Sequence, residues 1–93
     1  GWDGSLRECA RLEEAESGRA LTVATTCPGV QLYTANFLAD APARGGGEYT
    51  ARQGLCLETQ FFPDSPNQPH FPSTRLDPGE VWQHTTAFTF STG

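Results

Sequence analysis

The sequence predicts an all-β fold of antiparallel strands that forms part of a larger sandwich or barrel. Three observations predict it. Apolar residues recur at every second position, and nowhere does a helical stripe persist for three turns. Ten Gly and seven Pro in 93 residues break the chain at short, regular intervals. Between those breaks lie runs rich in Val, Thr, Leu and Phe, the residues that suit a pleated, half-buried surface.

The elements follow in order. Ala10 and Leu12 alternate with Arg11 and Glu13, giving a strand over 9–14. Glu and Ala across 8–16 would also suit a helix, but Ser17-Gly18 arrives too soon for a stable one. Glu16-Ser17-Gly18-Arg19 is a turn, and Leu21, Val23 and Thr25 then alternate with Thr22 and Ala24. The two runs read as a hairpin. Cys27-Pro28-Gly29 is a second break, where Pro28 fixes φ and Gly29 tolerates a positive one. Val30, Leu32 and Thr34 next point one way and Gln31 and Tyr33 the other. A mobile loop is expected from Asp40 to Gly47, ending in Gly45-Gly46-Gly47.

Leu55–Gln60 is the next strand, with Leu55, Leu57 and Thr59 on one face and Cys56, Glu58 and Gln60 on the other. Pro63, Pro66, Pro69 and Pro72 follow at every third residue, the period of polyproline II. Asp77-Pro78-Gly79-Glu80 turns the chain into a last strand over 81–90, with Trp82, Phe88 and Phe90 sharing a face. No internal repeat or linker interrupts the series. Residues 1–93 therefore read as one segment without an internal boundary, a continuous meander of strands.

Composition excludes several classes of function. Six Arg, no Lys and eleven acids leave a formal charge of −5, whereas a nucleic-acid module needs a basic stripe to neutralise phosphates. A basic membrane-surface helix is excluded for the same reason, and the apolar runs are too short for a spanning helix. Neither nucleic acid nor membrane is an expected partner. Cys9, Cys27 and Cys56 are odd in number and form no C-x-x-C pair, so they read as free, mostly buried thiols in a reducing compartment, the cytoplasm. No pair of ligands has a metal-binding spacing, and no metal is expected. The Gly run lacks the spacing of a phosphate cradle. The absence of Met and the opening Gly-Trp-Asp-Gly fit either removal of an initiator Met before Gly1 or a segment cut from something longer.

Four features carry candidate chemistry. Glu58, beside Phe61 and Phe62, is either a carboxylate made basic by desolvation and fit for general-base work or a solvated strand glutamate. The loop Pro63–Ser73 is either a PxxP ligand for an aromatic groove or a rigid loop packed on its own domain through Phe61, Phe62 and Phe71. His84 shares parity with Trp82 and Phe88 and reads as a hydrogen-bonded boundary histidine. His70 reads as exposed. No arrangement of Ser, Cys and His supports a hydrolase triad.

A resemblance extends this reading. Pro28-Gly29-Val30-Gln31-Leu32-Tyr33-Thr34-Ala35-Asn36-Phe37-Leu38 and Gly54-Leu55-Cys56-Leu57-Glu58-Thr59-Gln60 resemble segments of the galactose mutarotase (aldose 1-epimerase) family. So do Phe62-Pro63-Asp64-Ser65-Pro66-Asn67-Gln68-Pro69, Phe71-Pro72-Ser73, Leu76–Glu80 and His84–Phe90, in the same order and spacing, across essentially the whole chain. The resemblance implies a large antiparallel β-sandwich that interconverts the α and β anomers of galactose and glucose without metal or cofactor. It implies that Glu58, in the L-E-T-Q segment, is the catalytic base, and that Gln31, in the V-Q-x-Y-T segment, binds the sugar.

The family's general acid, a histidine, and its remaining sugar ligands lie upstream, and His70 does not stand in the acid's place. The resemblance therefore places this chain as the C-terminal portion of a longer enzyme. By itself it is expected to be inactive, with open sheet edges and an uncovered apolar face. The N-terminal part of the same polypeptide and an aldohexose are the expected partners. An alternative of another class is a non-catalytic carbohydrate-binding or protein-interaction β-domain.

Overall fold

A computed structural model describes residues 1–39 and 41–92. They form seven strands: β1 (Arg7–Glu13), β2 (Arg19–Thr25), β3 (Gly29–Tyr33), β4 (Ala41–Pro42), β5 (Glu48–Tyr49), β6 (Cys56–Gln60) and β7 (Thr86–Thr92). A single 3-10 turn spans Ser65–Asn67. All pairings are antiparallel, and the described residues contain no α-helix.

The first hairpin forms as the alternation predicts. Glu14 closes it by accepting the Glu16 and Ser17 amides on its carboxylate at 2.9 and 2.7 Å. The hydrogen bond from the Ser17 side chain, then those two amides, hold the Glu14 carboxyl below its ordinary value. Regular alternation in β1 breaks at one place, a bulge between Glu8 and Ala10, which shifts the register around Cys9.

The order of strands is not a meander. β7 returns to pair along the whole of β2, giving a sheet β1-β2-β7, while β3 pairs with β6 and β4 with β5. Leu12, Leu21, Val23, Phe88 and Phe90 share one face of the three-stranded sheet through the pairs Leu12↔Leu21, Leu21↔Phe90 and Val23↔Phe88. Val23 and Thr25 are fully buried, yet Phe88 and Phe90 are 53% and 79% exposed, so the apolar face is only partly covered.

Three threonine hydroxyls tie the two larger sheets together. Thr59 of β6 and Thr86 of β7 share a hydrogen bond of 2.8 Å, and Thr86 lies 3.2 Å from the Thr25 hydroxyl. Thr25 Oγ1 also accepts the Cys27 amide at 3.0 Å. Buried polar groups on this seam are thereby satisfied, as burial requires. Because Thr59 faces the seam, Leu57, Val30 and Leu32 share its side of β3–β6, though Leu32 there is 56% exposed, and Glu58 and Gln31 lie on the opposite, outer side.

Four local expectations are corrected. The proline-rich loop does not follow polyproline II throughout. Asp64 takes a left-handed backbone (φ 62°) and starts the 3-10 turn, accepting from Asn67 and Gln68 side chains at 2.6 and 3.0 Å. The last strand begins at Thr86 rather than residue 81; the Thr26 amide and hydroxyl bind Thr85 at its carbonyl and amide, fixing where the strand enters. Trp82 consequently leaves the Phe88–Phe90 face and packs on His84 at 4.9 Å. Cys27 is buried, Cys9 half-buried and Cys56 exposed, all three as free thiols. Of the loop expected over 40–47, Asp40 lies outside the described residues, and the remainder closes the short β4–β5 ladder around three glycines with positive φ.

Candidate active site

β3 and β6 each contribute five residues to a regular ladder with the pairs Gly29↔Gln60, Gln31↔Glu58 and Tyr33↔Cys56 on its outer face. Directly opposed residues of an antiparallel pair hold their Cβ atoms about 4.5–5.5 Å apart. A carboxylate and a primary amide therefore stand side by side on one platform. Both are exposed, so the general-base reading draws no desolvation from the chain itself. Gln31 Nε2 makes only a long contact, 3.4 Å, to its neighbour's carbonyl at Leu32, which leaves both ends of the amide available.

The first strand residue explains the shape of this face. Gly29 sits in extended strand, so it is not a glycine required by a positive φ. A Cβ there would meet the Phe62 ring at 2.7 and 2.9 Å. By strand alternation that missing Cβ points to the same side as Gln31. Phe62 thus lies over the Gly29 end of the Glu58–Gln31 face.

Beyond Phe62 the surface opens into a cleft of about 710 Å3 lined by Trp2, Arg7, Phe62, His70 and Phe71, among others. Phe62 and Phe71 pack edge-to-face at 5.2 Å. Arg7 donates from Nη1 to the Thr25 carbonyl at 2.6 Å and from Nη2 to the Pro28 carbonyl at 3.3 Å, which pins its guanidinium while leaving further N–H donors.

The two histidines separate in role. His84 Nδ1 lies 2.9 Å from Thr26 Oγ1, and its half-buried ring packs among Trp2, Phe61 and Trp82 at 6.2, 5.4 and 4.9 Å. It is a hydrogen-bonded boundary histidine, as its sequence context predicts, though no strand places it there. His70 is exposed and stacks edge-on against Phe71 at 4.5 Å. The loop carrying it is packed on its own chain through Phe62 and Phe71, and Ser65 caps the Phe62 carbonyl. These contacts favour the packed-loop alternative over a free PxxP ligand. Among the described residues, no three His, Cys, Asp or Glu side chains gather as a metal centre would need.

Sequence reasoning singled out Glu58 and Gln31 and missed the rest of the surround. Trp2 reads as part of a terminal turn, yet its indole donates to the Thr26 carbonyl at 2.8 Å and its ring meets Phe61 at 5.5 Å. Arg7 carries no sequence signal beyond its charge. Gly29 does carry one, but its place after Cys27-Pro28 suggests a turn, whereas the structure puts it in β3 against Phe62.

The chain is thus an antiparallel all-β segment that pairs a carboxylate and an amide on an open sheet face, with an aromatic cleft beyond Phe62 that neither of them lines. The particular family is defined by comparison. The family profile described as Aldose 1-epimerase matches residues 2–89, and the chain belongs to that family. It is 56% identical over 87 residues to the galactose mutarotase of Bos taurus, an alignment covering 91% of this chain and 25% of that protein. To the galactose mutarotase of Homo sapiens it is 55% identical over 85 residues, 89% of this chain and 25% of the relative. The aldose 1-epimerase of Escherichia coli K12 is 42% identical over 83 residues, 87% and 24% respectively. The chain spans about a quarter of the length of these relatives.

Proposed function

We propose that this chain is the C-terminal, base-bearing segment of an aldose 1-epimerase that interconverts the anomers of galactose or glucose. One observation carries the reading: Glu58 and Gln31 are direct cross-strand partners on the outer face of β3–β6. The names of the relatives supply the class of reaction, and the side chains supply the chemistry.

The Glu58 carboxylate takes the proton from the anomeric hydroxyl. As that O–H bond breaks, C1 forms a carbonyl with its oxygen, the bond from C1 to the ring oxygen breaks, and the ring oxygen takes a proton from an acid. Rotation about C1–C2 exposes the other carbonyl face, and the reverse proton transfers close the second anomer. No atom is gained or lost. Gln31 donates and accepts at sugar hydroxyls, so the sugar is held by a group that does not compete for the proton.

The family resemblance implies a histidine acid in the part of the polypeptide N-terminal to this chain, and neither His70 nor His84, which is hydrogen-bonded to Thr26, is assigned that role. The same part completes a larger β-sandwich over Phe88 and Phe90 and excludes water from Glu58 once sugar is bound. Drying matters because burial raises a carboxylate toward the proton affinity that a base needs. Three free thiols support a cytoplasmic location.

The experiment is polarimetry of freshly dissolved α-galactose with the full polypeptide that carries this chain. Glu58→Gln is expected to remove the acceleration of the rotation change while sugar still binds. A rate unchanged from the parent's overturns the base assignment, and a parent that does not accelerate the rotation change at all leaves the non-catalytic carbohydrate-binding alternative.

A further inference from the structure

We infer that Phe62 is the aromatic platform on which the sugar ring lies while Glu58 acts at its anomeric hydroxyl, with the Arg7 guanidinium, which lines the cleft beyond Phe62, donating to its hydroxyls. The inference rests on the proposed epimerase reading and adds substrate contacts to it.

A pyranose chair carries its hydroxyls around the rim and patches of C–H on its faces. A site for it needs a flat apolar surface beside a few polar groups that fix orientation. The face of an aromatic ring bears negative charge density and attracts such C–H patches. Phe62 has the placement. It lies over Gly29 on the side of β3 that carries Gln31, because only a residue without Cβ lets the ring come so close. Gly29 and Gln31 are two residues apart, about 7 Å along a strand, the scale of one sugar ring. A pyranose laid on Phe62 therefore brings its edge to the Glu58–Gln31 pair.

The ring is also held. Phe71 packs against it at 5.2 Å and 61°, and Ser65 fixes its carbonyl. A platform that does not move loses little entropy on binding. Arg7 lines the same cleft as Phe62 and is anchored by the Thr25 and Pro28 carbonyls, so its guanidinium offers its remaining N–H donors from a fixed position. A neutral polyol is the occupant that uses both: it takes donors from Arg7 and offers C–H to Phe62.

The test is steady-state polarimetry with α-galactose on the full polypeptide carrying Phe62→Leu, which keeps an apolar filler against Gly29 and Phe71 but removes the π face. KM is expected to rise about three- to ten-fold, the scale of one aromatic contact, with kcat within two-fold of the parent, and Phe62→Trp to restore KM. Arg7→Gln is expected to raise KM likewise. A KM unchanged in Phe62→Leu overturns the platform. Glu58→Gln, run in parallel, separates the two readings: if it loses kcat while Phe62→Leu keeps its KM, the platform fails and the base assignment stands.

Discussion

Gln31 faces Glu58 across the β3–β6 ladder, each the directly opposed partner of the other. That pairing is a consequence of register. A slip of one residue would move every side chain of β3 to the opposite side, sending Gln31 into the seam with Leu57 and Thr59 and bringing Val30 or Leu32 up beside the carboxylate. The ladder thus fixes which amide accompanies Glu58 before any ligand is involved.

The first prediction concerns that pair. Glu58→Gln preserves size and hydrogen bonding but cannot accept a proton, and its effect on kcat in the full polypeptide is expected at about 100- to 10,000-fold, the range of general acid–base catalysis. Gln31→Ala keeps the base and removes a hydroxyl ligand, so its loss should fall mainly on KM. Polarimetric kcat and KM for the two variants distinguish the roles.

Gly29→Ala provides a test of packing rather than chemistry. The strand backbone accepts alanine, since Gly29 has no positive φ. The new methyl, however, would stand 2.7 Å from the Phe62 ring, and the ring is braced behind by Phe71. Overpacking of this kind costs about 1–3 kcal/mol, to be read as a fall in the denaturation midpoint. Combined with Phe62→Leu, the same change should cost less than the two separate losses added together, because the colliding ring is gone.

How much of this was legible in the sequence follows from the range of the interactions. β1, β2, β3 and β6 were legible because alternation and turn residues are local signals, and the side on which Glu58 lies came from the same parity. The cross-strand partnership with Gln31 was not, since register between strands 27 residues apart is a tertiary outcome. Trp82 was misplaced because parity holds only within a strand, and Thr26 delays the start of β7 to Thr86. Gly29 was misread because sequence shows a missing side chain without showing the ring that fills its place. The return of β7 to β2 required knowing what lies between them.

The threonine seam makes the third prediction. Thr25→Val is nearly isosteric but removes the acceptor for the buried Cys27 amide and a partner of Thr86. Leaving a buried donor unpaired costs about 1–3 kcal/mol. Denaturation should show that loss, and the Cys27 amide should exchange with solvent faster than in the parent. Thr89→Val, on the exposed outer face of β7, should change stability little.

A fourth prediction follows from Asp64. Hydrogen bonds from the Asn67 and then the Gln68 side chain hold its carboxyl below the ordinary aspartate value. A depressed folded-state value means that ionised Asp64 favours the folded loop. The contribution is present above the unfolded value, near 3.8, and is lost as pH falls through the lower folded value. Carbon-detected titration of Asp64 should give a midpoint below 3.8, and Asn67→Ala should move it upward. An Asp64 midpoint at or above the ordinary value would remove this loop anchor.

The two edges of the three-stranded sheet differ, and the difference sets the behaviour of the chain when it is separated from a longer polypeptide. β1 carries Glu8, Arg11 and Glu13 and a bulge, with Arg11 paired to Glu13 at 2.5 Å, all features that discourage another strand from adding. β7, Thr86–Thr92, has neither charge nor proline, and its Phe88 and Phe90 are exposed. Among the described residues its outer edge has no strand partner, and a net charge of −5 does not guard it locally. The isolated chain is therefore expected to associate with rising concentration in sedimentation velocity. Phe90→Lys, which puts a charge on the open apolar face, and Thr89→Lys, which puts one on the opposite face of the same edge strand, should each shift the distribution toward monomer. If Phe90→Lys succeeds and Thr89→Lys does not, association runs through the sheet face rather than through strand addition at β7.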